Sequence, residues 1–258
     1  MEIAWQLILR ARDSRVLAPD SAQRRAWSRT LGLAAVGQPL LAHGLADTHG
    51  HLLVVCDRSD AGRLARGLGR TLHACLQPEI EREPVRLSPV CDQAHLANAF
   101  AYVLGQLHHH GLRGIDPYLD GTALPDLLGL RPLGAWMATQ VRRHLPRVGR
   151  EELLGRLRVD PWSIPTRELS ALAEAVAAAA GQPCALGRSP LLFEARMAGV
   201  ALAREGFESV AVAEALGLTD RAVRRLRTGQ SSAVMRRAVE GQWAWRSREV
   251  CGGRSGPL

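Results

Sequence analysis

Two pairs of residues have the types and the spacing that chemistry requires. His49 and His51 are separated by one residue and precede the apolar run from Leu52 to Cys56. Because successive side chains of a strand point to opposite faces, both imidazoles lie on one face and Gly50 lies on the other. Two imidazoles side by side on a rigid strand can bind a metal ion. The alternative is two ordinary histidines at the end of a strand.

The second pair lies in a predicted helix that begins at Asp92. An apolar stripe runs along this helix, and His95, Tyr102 and Gln106 lie together beside the stripe. Tyr102 and Gln106 are four residues apart, so their phenol and amide groups can face one ligand. His95 is a candidate auxiliary group. The alternative is a tyrosine at the edge of the core with its hydroxyl group in water.

The elements that position these pairs have a characteristic order along the chain. Apolar alternation and helical periodicity predict strand, helix, strand, strand, helix, strand, helix. The predicted strands are 3–10, 38–46, 51–56 and 85–87, and the predicted helices are 21–35, 59–76 and 92–108. This order predicts an α+β domain in residues 1–130, with a ferredoxin-like split βαβ antiparallel sheet and helices on one face.

The composition restricts the class of function. All 33 basic residues of the 258-residue chain are arginine, which excludes mechanisms that need a P-loop or Schiff-base lysine. The net charge of +8 favours a polyanionic partner. Five scattered cysteines without a Cys-x-x-Cys pair indicate reduced thiols. With no signal peptide and no apolar run of about 18 residues, we expect a bacterial cytoplasmic protein with no membrane partner.

The second half of the sequence is typical of an all-α region. We expect a helical connector over 131–188, a DNA-binding module over 189–245 and a disordered tail over 246–258. Within the module, the pattern of 208–227 resembles a helix-turn-helix: Ala213 allows close helix contact, Gly217 supplies the turn and Thr219 caps the second helix. Trp243 and Trp245 either stack on bases or pack back on the module.

Two sets of arginines are candidate DNA contacts. The outward face of the second helix carries three of them, suited to phosphates and to guanine edges: Arg221, Arg224 and Arg225. One side of the predicted helix 59–76 carries three more: Arg63, Arg66 and Arg70. The alternative for the C-terminal module is a helical interaction domain with a solvated arginine face.

The two motifs together resemble the single-tyrosine transposases of the HUH endonuclease superfamily, and most closely the REP-associated tyrosine transposases. The segment from Leu45 to Leu53 is similar to the family's strand motif, usually written Met-Pro-Asn-His-hydrophobic-His. The segment from Tyr102 to Leu107, followed by Gly111-Leu112, is similar to the family's tyrosine helix. The resemblance covers roughly the first 130 residues, and the spacing of the two motifs is more specific than either motif alone.

The resemblance implies a mechanism and a partner. It implies that His49, His51 and Gln106 bind Mg²⁺ or Mn²⁺ and that Tyr102 is the nucleophile. The implied reaction cleaves and rejoins single-stranded DNA, recognised at a hairpin or repeat, through a 5′-phosphotyrosine intermediate. A homodimer that associates with the nucleoid when bound to DNA is implied as well. An open site of two imidazoles and one amide oxygen suits such a weakly held ion.

The motifs depart from the family pattern at several positions. Gly50 replaces a bulky hydrophobic residue, Asp47-Thr48 replace Pro-Asn, and Gln106-Leu107 replace Asn-Pro. A glycine here removes a packing side chain and raises backbone entropy, so we expect it to loosen the site. Two other functions therefore stand beside the transposase. One is a domesticated protein that regulates or recognises DNA repeats without cleaving, and the other is a relaxase or replication initiator of the same superfamily.

Overall fold

The chain forms two compact units in the computed structural model, which describes residues 3–13, 15–34, 37–75, 81–106, 118–157 and 159–252. Unit 1 consists of Met1–Leu128 and Leu133–Leu157. Unit 2 consists of Gly129–Pro132 and Arg158–Leu258. The segment predicted as a connector, 131–188, is therefore divided between two cores.

A four-stranded antiparallel sheet forms the centre of unit 1. Its strands are β1 (Ala4–Arg10), β2 (Leu40–Leu45), β3 (His49–Val54) and β4 (Arg86–Val90), in the spatial order β2-β3-β1-β4. The first three helices are α1 (Ser21–Ala34) after β1, α2 (Arg58–Cys75) after β3 and α3 (Gln93–Leu104) after β4. The predicted α+β class and the predicted order of elements are confirmed.

Helices cover both faces of the sheet. A Cβ atom on Gly50 would lie 2.6 Å from the Trp27 ring of α1, whereas one on Gly44 would lie 2.5 Å from the Val103 carbonyl of α3. Gly44 pairs with His51, and the side chain of His51 points away from the Gly50 face. α1 packs against α2 on the Gly50 face. The sequence placed the helices on one face; in the structure α1 packs on one face of the sheet, and α3 packs its apolar stripe on the other.

Burial along β1 distinguishes the two faces. Trp5, Leu7 and Leu9 point to the α1 side and are at most 4% exposed. The alternate positions are Gln6, Ile8 and Arg10, and exposure increases toward Arg10. The α1 face is thus a closed apolar core, while the α3 face stays open at the end of the sheet that carries the histidines.

A segment after α3 closes the side of α1 and the edge of β2. A 3-10 turn over Tyr118–Gly121 is anchored by an ion pair in which Arg25 Nη1 donates to Asp120 Oδ2 at 2.8 Å, with both side chains 1% exposed. Losing one partner of such a buried pair costs about 3–5 kcal/mol. The remaining helices of unit 1 are α4 (Leu124–Leu128), α5 (Ala135–His144) and α6 (Arg150–Leu157).

Unit 2 is built around an alanine-rich helix. Its helices are α7 (Leu172–Ala179), α8 (Pro190–Ala203), α9 (Ser209–Leu216), α10 (Asp220–Leu226) and α11 (Ala233–Gly252). Five of the eight residues of α7 are alanines or valine with 0–1% exposure, because small side chains let α8 and α11 approach closely. The two helices are in close contact at Gly199 of α8, because a Cβ there would lie 2.8 Å from the Val176 side chain of α7.

The predicted disordered tail is wrong for residues 246–252, because α11 continues to Gly252. Arg246 and Ser247 are buried, and Ser247 Oγ accepts a hydrogen bond from the Glu168 amide at 2.7 Å. Both side chains also donate hydrogen bonds to residues of the same helix, Arg246 to Gln242 and Ser247 to the Trp243 carbonyl. Residues 246 and 247 therefore belong to the folded unit and not to a disordered tail. Residues 253–258 lie outside the described residues. No helix within the described ranges combines the length and the apolar character needed to cross a membrane.

Candidate active site

His49 and His51 lie side by side on β3, facing the side of the sheet that carries α3. Their ring centroids are 5.0 Å apart and their planes are inclined at 85°. They are 8% and 4% exposed, respectively. β3 begins at His49 and not at His51 as predicted, so both histidines belong to one regular strand. Regular strand geometry therefore gives the pair the common face that the sequence predicts.

A neighbouring side chain contacts the Nδ1 atom of each histidine. Thr48 Oγ1 lies 3.2 Å from Nδ1 of His49, and the Gln6 amide nitrogen Nε2 donates to Nδ1 of His51 at 2.9 Å. A hydroxyl oxygen that accepts from Nδ1–H fixes the tautomer with its lone pair on Nε2, whereas an amide N–H that donates to Nδ1 places the proton of a neutral imidazole on Nε2. The Thr48 contact is therefore of the kind that orients an imidazole for metal binding through Nε2, and the Gln6 contact holds the ring of His51 in place through its other nitrogen.

Tyr102 lies beside the histidines, in the last turn of α3. Its ring centroid is 5.4 Å from that of His51, with the planes at 81°. The side chain remains 42% exposed, although α3 buries five of its residues. A phenol that is held at the edge of a histidine pair and open to solvent can reach an external phosphorus atom. Cys56, which follows β3, is a poor nucleophile because burial and the charge of Asp57 raise its pKa to about 11.

Gln106 occupies a different position from the one predicted. α3 ends at Leu104, with Gly105 as its C-cap, so Gln106 lies beyond the helix. Its side chain is fully buried, and its Nε2 donates to the Tyr102 carbonyl at 3.3 Å. Gln106 is absent from the lining of the pocket in front of Tyr102. The structure thus brings Tyr102 together with the two histidines, while Gln106 lies outside the pocket lining, with its Cγ 3.7 Å from the position of a Cβ on Gly44, the strand partner of His51.

The pocket in front of these residues has a volume of about 290 Å³. Its lining is Ile8, Arg10, His49, His51, Glu83, Pro84, Arg86 and Tyr102. Arg10, Glu83 and Arg86 are charged groups that sequence reasoning missed. Alternation within β1 could have placed Arg10 on the correct face. Arg86 reaches the pocket through the pairing of β4 with β1, and Glu83 precedes β4, where its amide donates to the Arg10 carbonyl.

The donor set of the pocket determines which cation can bind there. Within the described ranges, no group of three or more histidine, cysteine, aspartate and glutamate side chains is placed to hold a metal ion. Two imidazoles side by side nevertheless form an open half-site that suits a weakly held cation completed by water and phosphate oxygens. His49 and His51 are the residues of the pocket that fit such an ion.

The other predicted residues of unit 1 lie away from this pocket. His95 is exposed in the first turn of α3, about 10 Å along the helix from Tyr102. Its ring accepts a hydrogen bond from the Cys91 amide at 3.4 Å. Arg63, Arg66 and Arg70 form an exposed row on α2, across the sheet from the histidines. The structure therefore does not bring them to the site.

Unit 2 contains helices with the geometry of a helix-turn-helix. α9 ends at Leu216, and its C-cap Gly217 makes the turn with a left-handed backbone (φ 62°, ψ 35°). Thr219 Oγ1 caps α10 by accepting from the Ala222 amide. Val223 and Leu226 are buried. The exposed face of α10 carries Arg221, Arg224 and Arg225. Trp243 and Trp245 are each 2% exposed, so they pack in the interior and do not stack on bases.

No protein-family model, curated protein or solved structure matches this chain. The functional argument therefore depends on the pocket of unit 1 and the arginine face of unit 2.

Proposed function

We propose that this protein is a metal-dependent endonuclease and transposase that cleaves and rejoins single-stranded DNA through a 5′-phosphotyrosine intermediate. The observation that carries the proposal is the placement of an exposed tyrosine 5.4 Å from one of two paired histidines, in a pocket that also holds arginines. Nucleophile, imidazole pair and cationic groups are the components that phosphoryl transfer needs.

The Tyr102 side chain performs the covalent step. Its phenol oxygen attacks the phosphorus, a bond from Tyr102 Oη to phosphorus forms, and the bond from phosphorus to the 3′-oxygen breaks. The phenol proton leaves to solvent, and the departing 3′-oxygen takes up a proton to become a hydroxyl group. Because the phosphodiester energy is kept in the phosphotyrosine bond, a 3′-hydroxyl can reverse the step and rejoin strands without another energy source.

His49 and His51 would hold Mg²⁺ or Mn²⁺. The bound cation supplies charge neutralisation and polarisation of the scissile phosphate. Gln106 supports the site from behind, where its amide holds the Tyr102 carbonyl at the end of α3. In this proposal Gln106 is a positioning residue.

The arginine face of α10 is proposed to bind DNA outside the cleavage site, and the arginine row of α2 to make auxiliary contacts. Guanidinium groups on an exposed helix suit phosphate oxygens and guanine edges. A homodimer in the bacterial cytoplasm, associated with the nucleoid when bound to DNA, belongs to the same proposal. Its support is the motif resemblance and the net charge of +8.

A second function, a non-cleaving DNA-binding protein, is favoured by one observation. Gln106 is fully buried and outside the pocket, so two imidazoles alone line it as predicted metal ligands. A pocket in which only two of the three predicted ligands meet would leave the protein to recognise DNA repeats through the helices of unit 2 without cleaving.

A covalent adduct assay decides between the two functions. Labelled hairpin single-stranded DNA is incubated with the full chain and Mn²⁺, and a denaturing gel reveals any DNA joined to protein. We expect an adduct for the wild type and none for Tyr102→Phe. Tyr118→Phe is the matched control, since Tyr118 is the only other tyrosine of the chain, and it should retain the adduct. The absence of a wild-type adduct, or an undiminished adduct in Tyr102→Phe, would overturn the enzymatic proposal.

A further inference from the structure

Strand pairing places two arginines on the same face as the histidines. Arg10 on β1 is directly opposite His49 on β3. Ile8 on β1 is opposite His51, and on its other side it is opposite Arg86 of β4. The face therefore carries a row His51–Ile8–Arg86 across three strands and a second row His49–Arg10 beside it. Neighbouring strands are about 4.8 Å apart, so both guanidinium groups reach the pocket.

These arginines differ from the other arginines near the sheet. Arg24 and Arg25 of α1 are buried and paired with carboxylates, and Arg12, just beyond β1, is paired with Glu81. Arg10 and Arg86 are exposed, and neither forms an ion pair within the described part of the chain. Two arginines that face one pocket without a carboxylate partner attract an anion.

Glu83 is the one acidic side chain among the residues that line the pocket. It lies beside the two arginines, and its backbone amide donates to the Arg10 carbonyl at 3.0 Å. The charged lining is therefore two guanidinium groups against one carboxylate, which leaves a positive balance. A volume of about 290 Å³ lies at the small end of ligand pockets, which span roughly 300–1,000 Å³, and suits one nucleotide of a single strand better than a duplex.

We propose that Arg10 and Arg86 bind successive phosphates of single-stranded DNA across the open face of the sheet. Arg10, opposite His49, contacts the scissile phosphate, and Arg86, two strands from His51, contacts the next phosphate. Ile8 provides an apolar floor between them for a sugar or base. This inference rests on the proposed function of the pocket, and it assigns the DNA path at the pocket to β1 and β4, which leaves only auxiliary contacts to the arginine row of α2.

The experiment measures binding without catalysis. The affinity of the full chain for a fluorescent oligothymidylate is determined by anisotropy over a range of salt concentrations, with EDTA present to remove divalent cations. Each single-strand phosphate contact contributes about 0.7 to the slope of log affinity against log salt. We expect Arg10→Gln and Arg86→Gln each to reduce the slope by about 0.7 and the affinity by about tenfold.

Two further variants control for charge. Arg143→Gln removes the same charge from an exposed position of α5, next to His144, whose carbonyl accepts from Gln93 at the far end of α3 from Tyr102. It should leave the slope unchanged. Glu83→Gln removes the opposing carboxylate and should tighten binding. Unchanged slopes in both Arg10→Gln and Arg86→Gln, or equal losses in Arg143→Gln, would overturn the inference.

The outcome separates this inference from the proposed function. If the slopes fall as expected but wild type gives no covalent adduct, the face binds single-stranded DNA and the cleavage proposal fails. If an adduct that depends on Tyr102 forms while the slopes do not change, cleavage stands and the phosphate contacts are made elsewhere.

Discussion

Replacing Gly50 by alanine is expected to destabilise unit 1, although the resembled family has a bulky hydrophobic residue at this position. The added Cβ would lie 2.6 Å from Cζ2 and 3.3 Å from Cη2 of Trp27, and 3.4 Å from Leu45 Cδ1. Carbon atoms in contact prefer about 3.5–4.0 Å, so the shortest distance must increase by about 1 Å. The indole is 1% exposed and cannot retreat into solvent.

Overpacking of this kind costs about 1–3 kcal/mol. The measurement is hydrogen exchange by mass spectrometry, because peptides from β1 and β3 report on unit 1 while peptides from α7 and α8 report on unit 2. Exchange in β1 and β3 should become about 5-fold to 150-fold faster. Gly67→Ala is the matched control: no described atom lies within 4 Å of a Cβ on Gly67 in α2, so alanine there should stabilise by about 0.5–1 kcal/mol.

A double-mutant cycle tests the cause. Trp27→Leu removes the ring atoms that the new methyl group meets, and no hydrogen bond is lost, since the indole N–H has no partner among the described residues. In the Trp27→Leu background Gly50→Ala should be neutral or stabilising, a coupling of at least about 1 kcal/mol. A stabilising or neutral Gly50→Ala in the wild-type background would refute the packing argument, and so would an equal cost in both backgrounds.

Three further outcomes follow from close contacts and hydrogen bonds. Gly44→Ala should displace α3, because its Cβ would lie 2.5 Å from the Val103 carbonyl oxygen; adduct formation should fall further than the loss of folded protein, measured by circular dichroism, accounts for. Thr48→Val removes the hydroxyl that contacts Nδ1 of His49 and should weaken Mn²⁺ binding about 10–100-fold in calorimetry; equal affinity would remove Thr48 from the site. Gly217→Ala forces a left-handed alanine at a cost of about 1–2 kcal/mol, visible as faster exchange confined to α9 and α10 peptides.

The order of elements in unit 1 could be predicted because each element has a local signal. The strand β4 was predicted too short, at 85–87 instead of Arg86–Val90. Pro89 lacks an N–H donor, so the sequence pattern predicts that the strand ends before it. β4 lies at the edge of the sheet, where a proline is tolerated. The helix α3 was predicted too long because its apolar periodicity continues past Gly105, where the backbone turns. These errors occur where one residue decides a boundary.

The site was predictable only in part, because some of its residues are close in the sequence while others are brought together by the pairing of distant strands. Two histidines on one strand face follow from local alternation. Arg86 depends on the register between β4 and β1, which is set by tertiary packing and leaves no local signal. Gly50 was interpreted as a loosening of the strand. The structure shows that Trp27 packs directly onto it, so the missing side chain is replaced by a ring from α1.

Both edges of the sheet discourage the addition of another strand. At the β2 edge, the Ala123 amide donates to the His43 carbonyl at 2.8 Å and Thr122 bridges to Gly44. At the β4 edge, Pro89 removes one donor from a strand of five residues. A second copy of this chain therefore finds no long row of open backbone groups to extend. The homodimer proposed above would therefore have to use helices or loops, and the same edges protect the folded protein from edge-to-edge aggregation.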